Sequence, residues 1–143
     1  MEPRISIITL GVKDLPRARH FYEQGLGWSV SSVSNENIVF MKIVGTILAL
    51  YPAEYLAEDA DVENNPNQGF RQFTLAHNVR ERHQVAEILQ QAVKAGGKIT
   101  KSAQDTAWGG YSGYFADPDG YLWEVAWNPH FQFNPEGTLS IPN

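Results

Sequence analysis

The chain has 143 residues, a formal net charge of −5 and no cysteine. That length suits one domain, able to bury roughly 68–70% of its unfolded surface without staples, and the lack of cysteine excludes disulfides, thiolate metal sites and a cysteine nucleophile. The acidic balance argues against nucleic acid, which asks for a basic face, and no stretch approaches the roughly 20 apolar residues of a membrane span. Residues 5–12 form a short apolar run without a signal-peptide pattern, so a soluble, cytoplasmic protein is expected.

In chain order, "SIITLGVKDLPRARHFYEQGLGW" (6–28) reads as an alternating strand, a turn and a helix. Asp14 suits the N-cap and Pro16 the first turn, while Leu15, Ala18, Phe21 and Tyr22 share a helical face before Gly25. Three extended segments follow, at 28–33, 38–43 and 46–51, the last two joined through Gly45. The segment "PAEYLAEDADVENNPNQG" (52–69) has five acids and no base, and reads as a linker with a short helix at 53–59. The pattern then begins again. The Thr-Leu pairs at 9–10 and 74–75 coincide at an offset of 65, and Val85, Ile88, Leu89, Ala92 and Val93 mark a helix face before Gly96 and Gly97. Extended segments at 98–102, 111–116 and 121–127 complete the second copy, the last two joined by Asp117-Pro118-Asp119-Gly120, a strong turn signal. "GTILALY" (45–51) lies over "GYLWEVA" (120–126) at an offset of 75. The expectation is an α+β fold of two βαβββ modules in a single domain: module one at about 4–52, the linker at 53–69, module two at 70–129. The tail at 130–143, with Phe131 and Phe133, wraps its own sheet or reaches a partner.

The last strand carries one charge among large apolar side chains. Alternation separates Leu122, Glu124 and Ala126 from Tyr121, Trp123, Val125 and Trp127, and the aromatic set suits the underside of a helix. Reading the turn as a four-residue loop sets Ala116 against Tyr121, Gly113 beside Glu124 and Tyr111 beside Ala126. The glycine opposite the carboxylate would leave room for a ligand. Glu124 and Tyr111 are thus the candidate catalytic pair. Trp108, Gly110 and Gly113 of "DTAWGGYSGYF" and the aromatic walls Phe40 and Tyr51 are candidate ligand-binding positions. The plainer alternatives are a carboxylate solvated on an open sheet face or tied up by an arginine such as Arg71, and a glycine hinge with a packing tryptophan. His20 and His83 fall off the apolar helix faces, His77 ends a strand, and none has the spacing that puts two imidazoles on one face.

Two βαβββ modules, with "GVKDLPRARHFYEQGLGW" and "FADPDGYLWEV", resemble the vicinal oxygen chelate superfamily of glyoxalase I, extradiol dioxygenases and fosfomycin- and bleomycin-resistance proteins, over residues 5–129. The resemblance implies a curved, mainly antiparallel eight-stranded half-barrel arrangement with helices outside, a ligand on the concave face, and a homodimer. It also implies four metal-ligand positions, which fall here on Ile7, Ala49, Gln72 and Glu124. Isoleucine and alanine offer no donor, so no metal and no other cofactor is expected, and Gln72 is left to orient a ligand. The function implied is a glyoxalase- or bleomycin-resistance-like protein that binds or sequesters a small organic molecule in an aromatic cleft centred on Glu124. The alternative is a metal-independent lyase or isomerase with Glu124 as general acid or base. A divalent-metal lyase or dioxygenase with a remodelled ligand set stands third.

Overall fold

A computed structural model describes residues 1, 5–65, 69–71 and 73–140. The chain divides into two compact units, Met1–Arg71 and Gln72–Asn143, and each holds one βαβββ module. The first unit runs β1 (Ile7–Val12), α1 (Leu15–His20), β2 (Ser29–Val30), β3 (Val39–Ile43), β4 (Thr46–Pro52) and α2 (Ala53–Asp59). Its four strands are ordered β1-β4-β3-β2, with β1 parallel to β4 and the other pairs antiparallel.

Local chemistry places α1. The Asp14 carboxylate accepts the Arg17 N–H at 2.9 Å, which satisfies one of the donors left over at a helix start, and proline occupies the first turn. Leu15, Ala18, Phe21 and Tyr22 are all buried, as their spacing predicts, against Leu10, Val12, Leu48 and Leu50 of the unit's core. Helix α1 widens into a π-turn over Phe21–Gly25, closed by the Leu26 N–H on the Phe21 carbonyl at 2.9 Å. Strand β2 is shorter than the 28–33 expected. The Ser34 N–H bonds back to the Ser31 carbonyl at 3.0 Å, and the Asn35 side chain takes the N–H groups of Asn37 and Ile38. Short polar side chains in "SSVSNEN" thus offer the backbone a turn in place of a ladder. The linker helix forms at 53–59 as read from sequence.

The second unit runs β5 (Leu75–Asn78), α3 (Gln84–Lys94), β6 (Lys98–Asp105), β7 (Tyr111–Ala116) and β8 (Leu122–Trp127), ordered β5-β8-β7-β6 with β5 parallel to β8. This repeats the first module's topology. Val85, Leu89 and Ala92 bury the inner stripe of α3, whereas Val93, expected on that stripe, is 42% exposed. Strands β9 (Gln132–Phe133) and β10 (Leu139–Ser140) fold the tail into a small antiparallel ribbon, with the Arg80 guanidinium 4.4 Å over the Phe133 ring.

The β7–β8 turn sets the register of the second sheet. Asp117 donates its N–H to the Tyr121 carbonyl at 2.9 Å, so these two residues close the hairpin and only Pro118, Asp119 and Gly120 cross it. Gly120 takes φ +84°, the left-handed position of a three-residue hairpin loop. One Asp117 oxygen accepts the N–H groups of both Asp119 and Tyr121 at 2.9 Å, and the residue is 4% exposed. Alanine at 117 removes that acceptor from a turn with no water to replace it. We expect a stability loss of about 1–3 kcal/mol, read as a lower urea midpoint at unchanged slope.

Candidate functional site

The second sheet has one face under α3 and one face partly open, where Ser112 and Ala126 are buried while Tyr114, Ala116, Leu122 and Glu124 are half-buried. On the α3 side lie Gly113, Phe115, Trp123 and Val125, with the Phe115 and Trp123 rings stacked 6.2 Å apart, so most of the strand's aromatic set packs under a helix as expected. The other face carries Leu122, Glu124 and Ala126 of β8 with Ser112, Tyr114 and Ala116 of β7. Three cross-strand partners meet there in a row: Lys101 lies opposite Tyr114, Tyr114 opposite Glu124, and Glu124 opposite Ala76 of β5.

Glu124 is half-buried and stands directly opposite Tyr114, so the carboxylate and the phenol are neighbours on one face. Loss of solvent around the phenol, followed by the nearby Glu124 charge, raises the Tyr114 pKa above the ordinary 10.0. A raised tyrosine pKa means that the folded state holds the proton more tightly than the unfolded one. Its contribution to stability is therefore complete below pH 10 and lost as pH rises through the folded value. Phenolate absorbance, with Tyr114→Phe subtracted to isolate this ring, should titrate earlier in Glu124→Gln. Identical curves would show that the carboxylate does not act on the phenol.

The register corrects two sequence expectations. Tyr114, not Gly113, stands opposite Glu124, and Ser112, not Tyr111, stands opposite Ala126. The cause is the turn, which is one residue shorter than the four-residue loop expected; a single-residue slip moves each side chain to the other face. A side chain on Gly113 would face α3, meeting Leu89 Cδ1 at 2.7 Å, so the space at this glycine belongs to the core. Tyr111 also takes the α3 side of β7, where the Arg82 guanidinium lies 4.0 Å over its ring and pairs with Asp105 at 2.6 Å. That pairing raises the Arg82 pKa and lowers that of Asp105, both at the surface.

Trp108 and Gly110 sit together at the β6–β7 turn. The Gly110 N–H bonds to the Thr106 hydroxyl at 3.0 Å, Gly109 takes φ +86°, and a Cβ on Gly110 would fall inside the Trp108 ring. This half-exposed tryptophan packs on its own turn, six residues before Tyr114, and even Gly110 is four residues or roughly 13 Å away at strand rise. Phe40 and Tyr51 lie in the first unit, on the sheet face that also carries Ile7 and Ala49. Gln72 lies outside the described residues. Lys101 and Tyr114 are neighbours of the candidate Glu124 that the sequence does not point to. A three-residue reading of "DPDG" would have found Tyr114.

The pairing also corrects the internal repeat. Ala49 lies opposite Thr9, and Glu124, its twin at offset 75, lies opposite Ala76, so the first strands match at 76 − 9 = 67 rather than 65. The twin of Ile7 is then Thr74. The side chains at these places do not fit a divalent ion: Ile7 and Ala49 carry no donor, and Glu124 is flanked by Ala76 and engaged by Tyr114. Among the described residues no three of His, Asp and Glu converge. His20, His77 and His83 are exposed, and no helix among the described residues is long and apolar enough to cross a membrane.

Residues 4–125 match the family model of the Glyoxalase/Bleomycin resistance protein/Dioxygenase superfamily. A glyoxalase-related enzyme from Fulvimarina pelagi is 35% identical, with a TM-score of 0.90 over 99% of each chain. A glyoxalase/bleomycin resistance protein/dioxygenase family enzyme from Burkholderia phytofirmans is 18% identical at a TM-score of 0.76, over 87% of this chain and 98% of that one. A lactoylglutathione lyase from Agrobacterium tumefaciens is 21% identical at 0.68, over 90% and 96%. These last two share the fold alone. No curated protein matches the sequence. Repeated topology, matched motifs and the 35% identical relative agree: the chain belongs to the glyoxalase/bleomycin resistance protein/dioxygenase superfamily.

Proposed function

We infer that the protein binds a small organic molecule on the open face of its second sheet, at the Glu124–Tyr114 pair, as a binding or sequestering protein without a catalytic metal. The observation that carries this reading is the pair itself, a half-buried carboxylate directly opposite a phenol. Its neighbours on that face are small, Ala76, Ser112, Ala116 and Ala126, and Tyr114 and Glu124 themselves stay partly exposed. Structural needs do not call for a charge there, since β8 already fills its α3 side with Trp123 and Val125. The same reading makes the protein cytoplasmic and homodimeric. A thermal-shift screen of small organic molecules tests it, because a ligand that favours the native state raises the melting temperature by mass action. A hit whose shift disappears in Glu124→Gln supports the site; hits indifferent to that change place the ligand elsewhere.

The second reading is a metal-independent lyase or isomerase with Glu124 as general acid or base. Two observations favour it: a proton donor and an acceptor stand opposite each other on neighbouring strands, and the 35% identical relative is a glyoxalase-related enzyme. Turnover of a screen hit that Glu124→Gln abolishes while binding persists selects this reading. Loss of affinity with no turnover in either protein selects capture.

A further inference from the structure

Strand β6 spends eight residues against the six of β7, which requires two irregularities in their pairing. Ile99 lies opposite Phe115 and Lys101 opposite Tyr114, so Thr100 is an extra residue. Regular pairing from Ile99 would set Lys101 opposite Gly113, on the α3 side where Leu89 fills the space. The bulge turns Lys101 to the face that carries Glu124, and its ammonium lies 5.9 Å from the centroid of the Tyr114 ring. A cation, a flat ring and a carboxylate thus occupy successive strands. Two strand spacings, about 10 Å, separate the outer two at the backbone.

We propose that Lys101 is the anion-binding end of the ligand site and that the ligand is a small zwitterion. Its carboxylate sits at the Lys101 ammonium, its amine at the Glu124 carboxylate, and its carbon chain across Tyr114. The proposal rests on the reading that Glu124 and Tyr114 bind the ligand. Charge pattern selects the class: a lone anion is repelled by Glu124 and a lone cation by Lys101, whereas a molecule bearing both charges satisfies each end.

The probes are ω-amino acids of increasing length, from 3-aminopropanoate to 8-aminooctanoate, with hexanoate and hexylamine as single-charge controls, measured by calorimetry on the full chain. One length should bind best and exceed both controls by about ten- to hundredfold, the worth of a charged hydrogen bond. Lys101→Met should remove the advantage of the best amino acid over hexylamine and bind hexylamine somewhat more tightly, because the repelling ammonium is gone, and Glu124→Gln should remove its advantage over hexanoate. Lys101 is exposed, so its replacement should not disturb folding, which circular dichroism checks. Equal binding of the amino acids and the controls, no binding of any amino acid, or indifference to Lys101→Met overturns the proposal. If a screen hit depends on Glu124 and Tyr114 but not on Lys101, only this proposal fails. If it depends on none of the three, the site reading fails with it.

Discussion

Valine in place of Gly113 should cost about 1–3 kcal/mol or more and lower the melting temperature by roughly 3–15 °C. The β-carbon alone would stand 2.7 Å from Leu89 Cδ1, 2.9 Å from the Lys101 carbonyl oxygen and 3.0 Å from the Ala103 nitrogen. The last two are backbone atoms of a bulged strand. Leu89 is 2% exposed on the inner stripe of α3, so it has no free volume into which to turn. Alanine should already show most of the loss. Gly110 makes the useful contrast, since there the obstacle is the ring of Trp108, which is 48% exposed and can swing outward. Gly110→Ala should leave the unfolding midpoint within about 0.5 kcal/mol while shifting tryptophan emission to the red. Equal melting temperatures for Gly113→Val and the unaltered protein would refute the packing described for α3 on β7.

What the sequence could show followed the range of the forces involved. Helix α1 depends on a cap and an apolar stripe within a dozen residues, and Asp14, Leu15, Ala18, Phe21 and Tyr22 all perform as read. Strand β7 and helix α2 likewise keep their expected bounds, because turns flank the one and an acidic segment the other. Registers were harder. The side chain of Asp117 and the left-handed Gly120 draw the hairpin one residue tighter than a proline-glycine count suggests, and that residue exchanges Gly113 for Tyr114 beside Glu124. The Thr-Leu match at offset 65 reflects similar residue types, whereas the true offset depends on where β5 settles along β8, a long-range pairing without a local signal. Lys101 was invisible for the same reason: a bulge at Thr100 leaves no mark in the period of a mixed strand such as "KITKSAQD". The charge at Glu124 was therefore legible, and its neighbours across the strands were not.

For the ligand found by thermal-shift screening, Glu124→Gln should weaken binding by about ten- to hundredfold, because it removes the charge from a half-buried acceptor while keeping its shape. Tyr114→Phe should weaken it less. The phenol does not carry the charge; standing opposite the carboxylate, it should restrict that group's orientation, and its loss should restore rotation. The double variant should then be no worse than Glu124→Gln alone by more than about 0.5 kcal/mol, since a positioning hydroxyl has little left to position once the carboxylate is gone. Additive losses would mean instead that the phenol contacts the ligand independently, and the two side chains would have to be read as separate contacts rather than one acceptor and its support. Melting temperatures of all three variants without ligand separate this effect from unfolding. The pair lies on the open face, where neither substitution opens a cavity in the α3 core, so those temperatures should stay close to that of the unaltered protein.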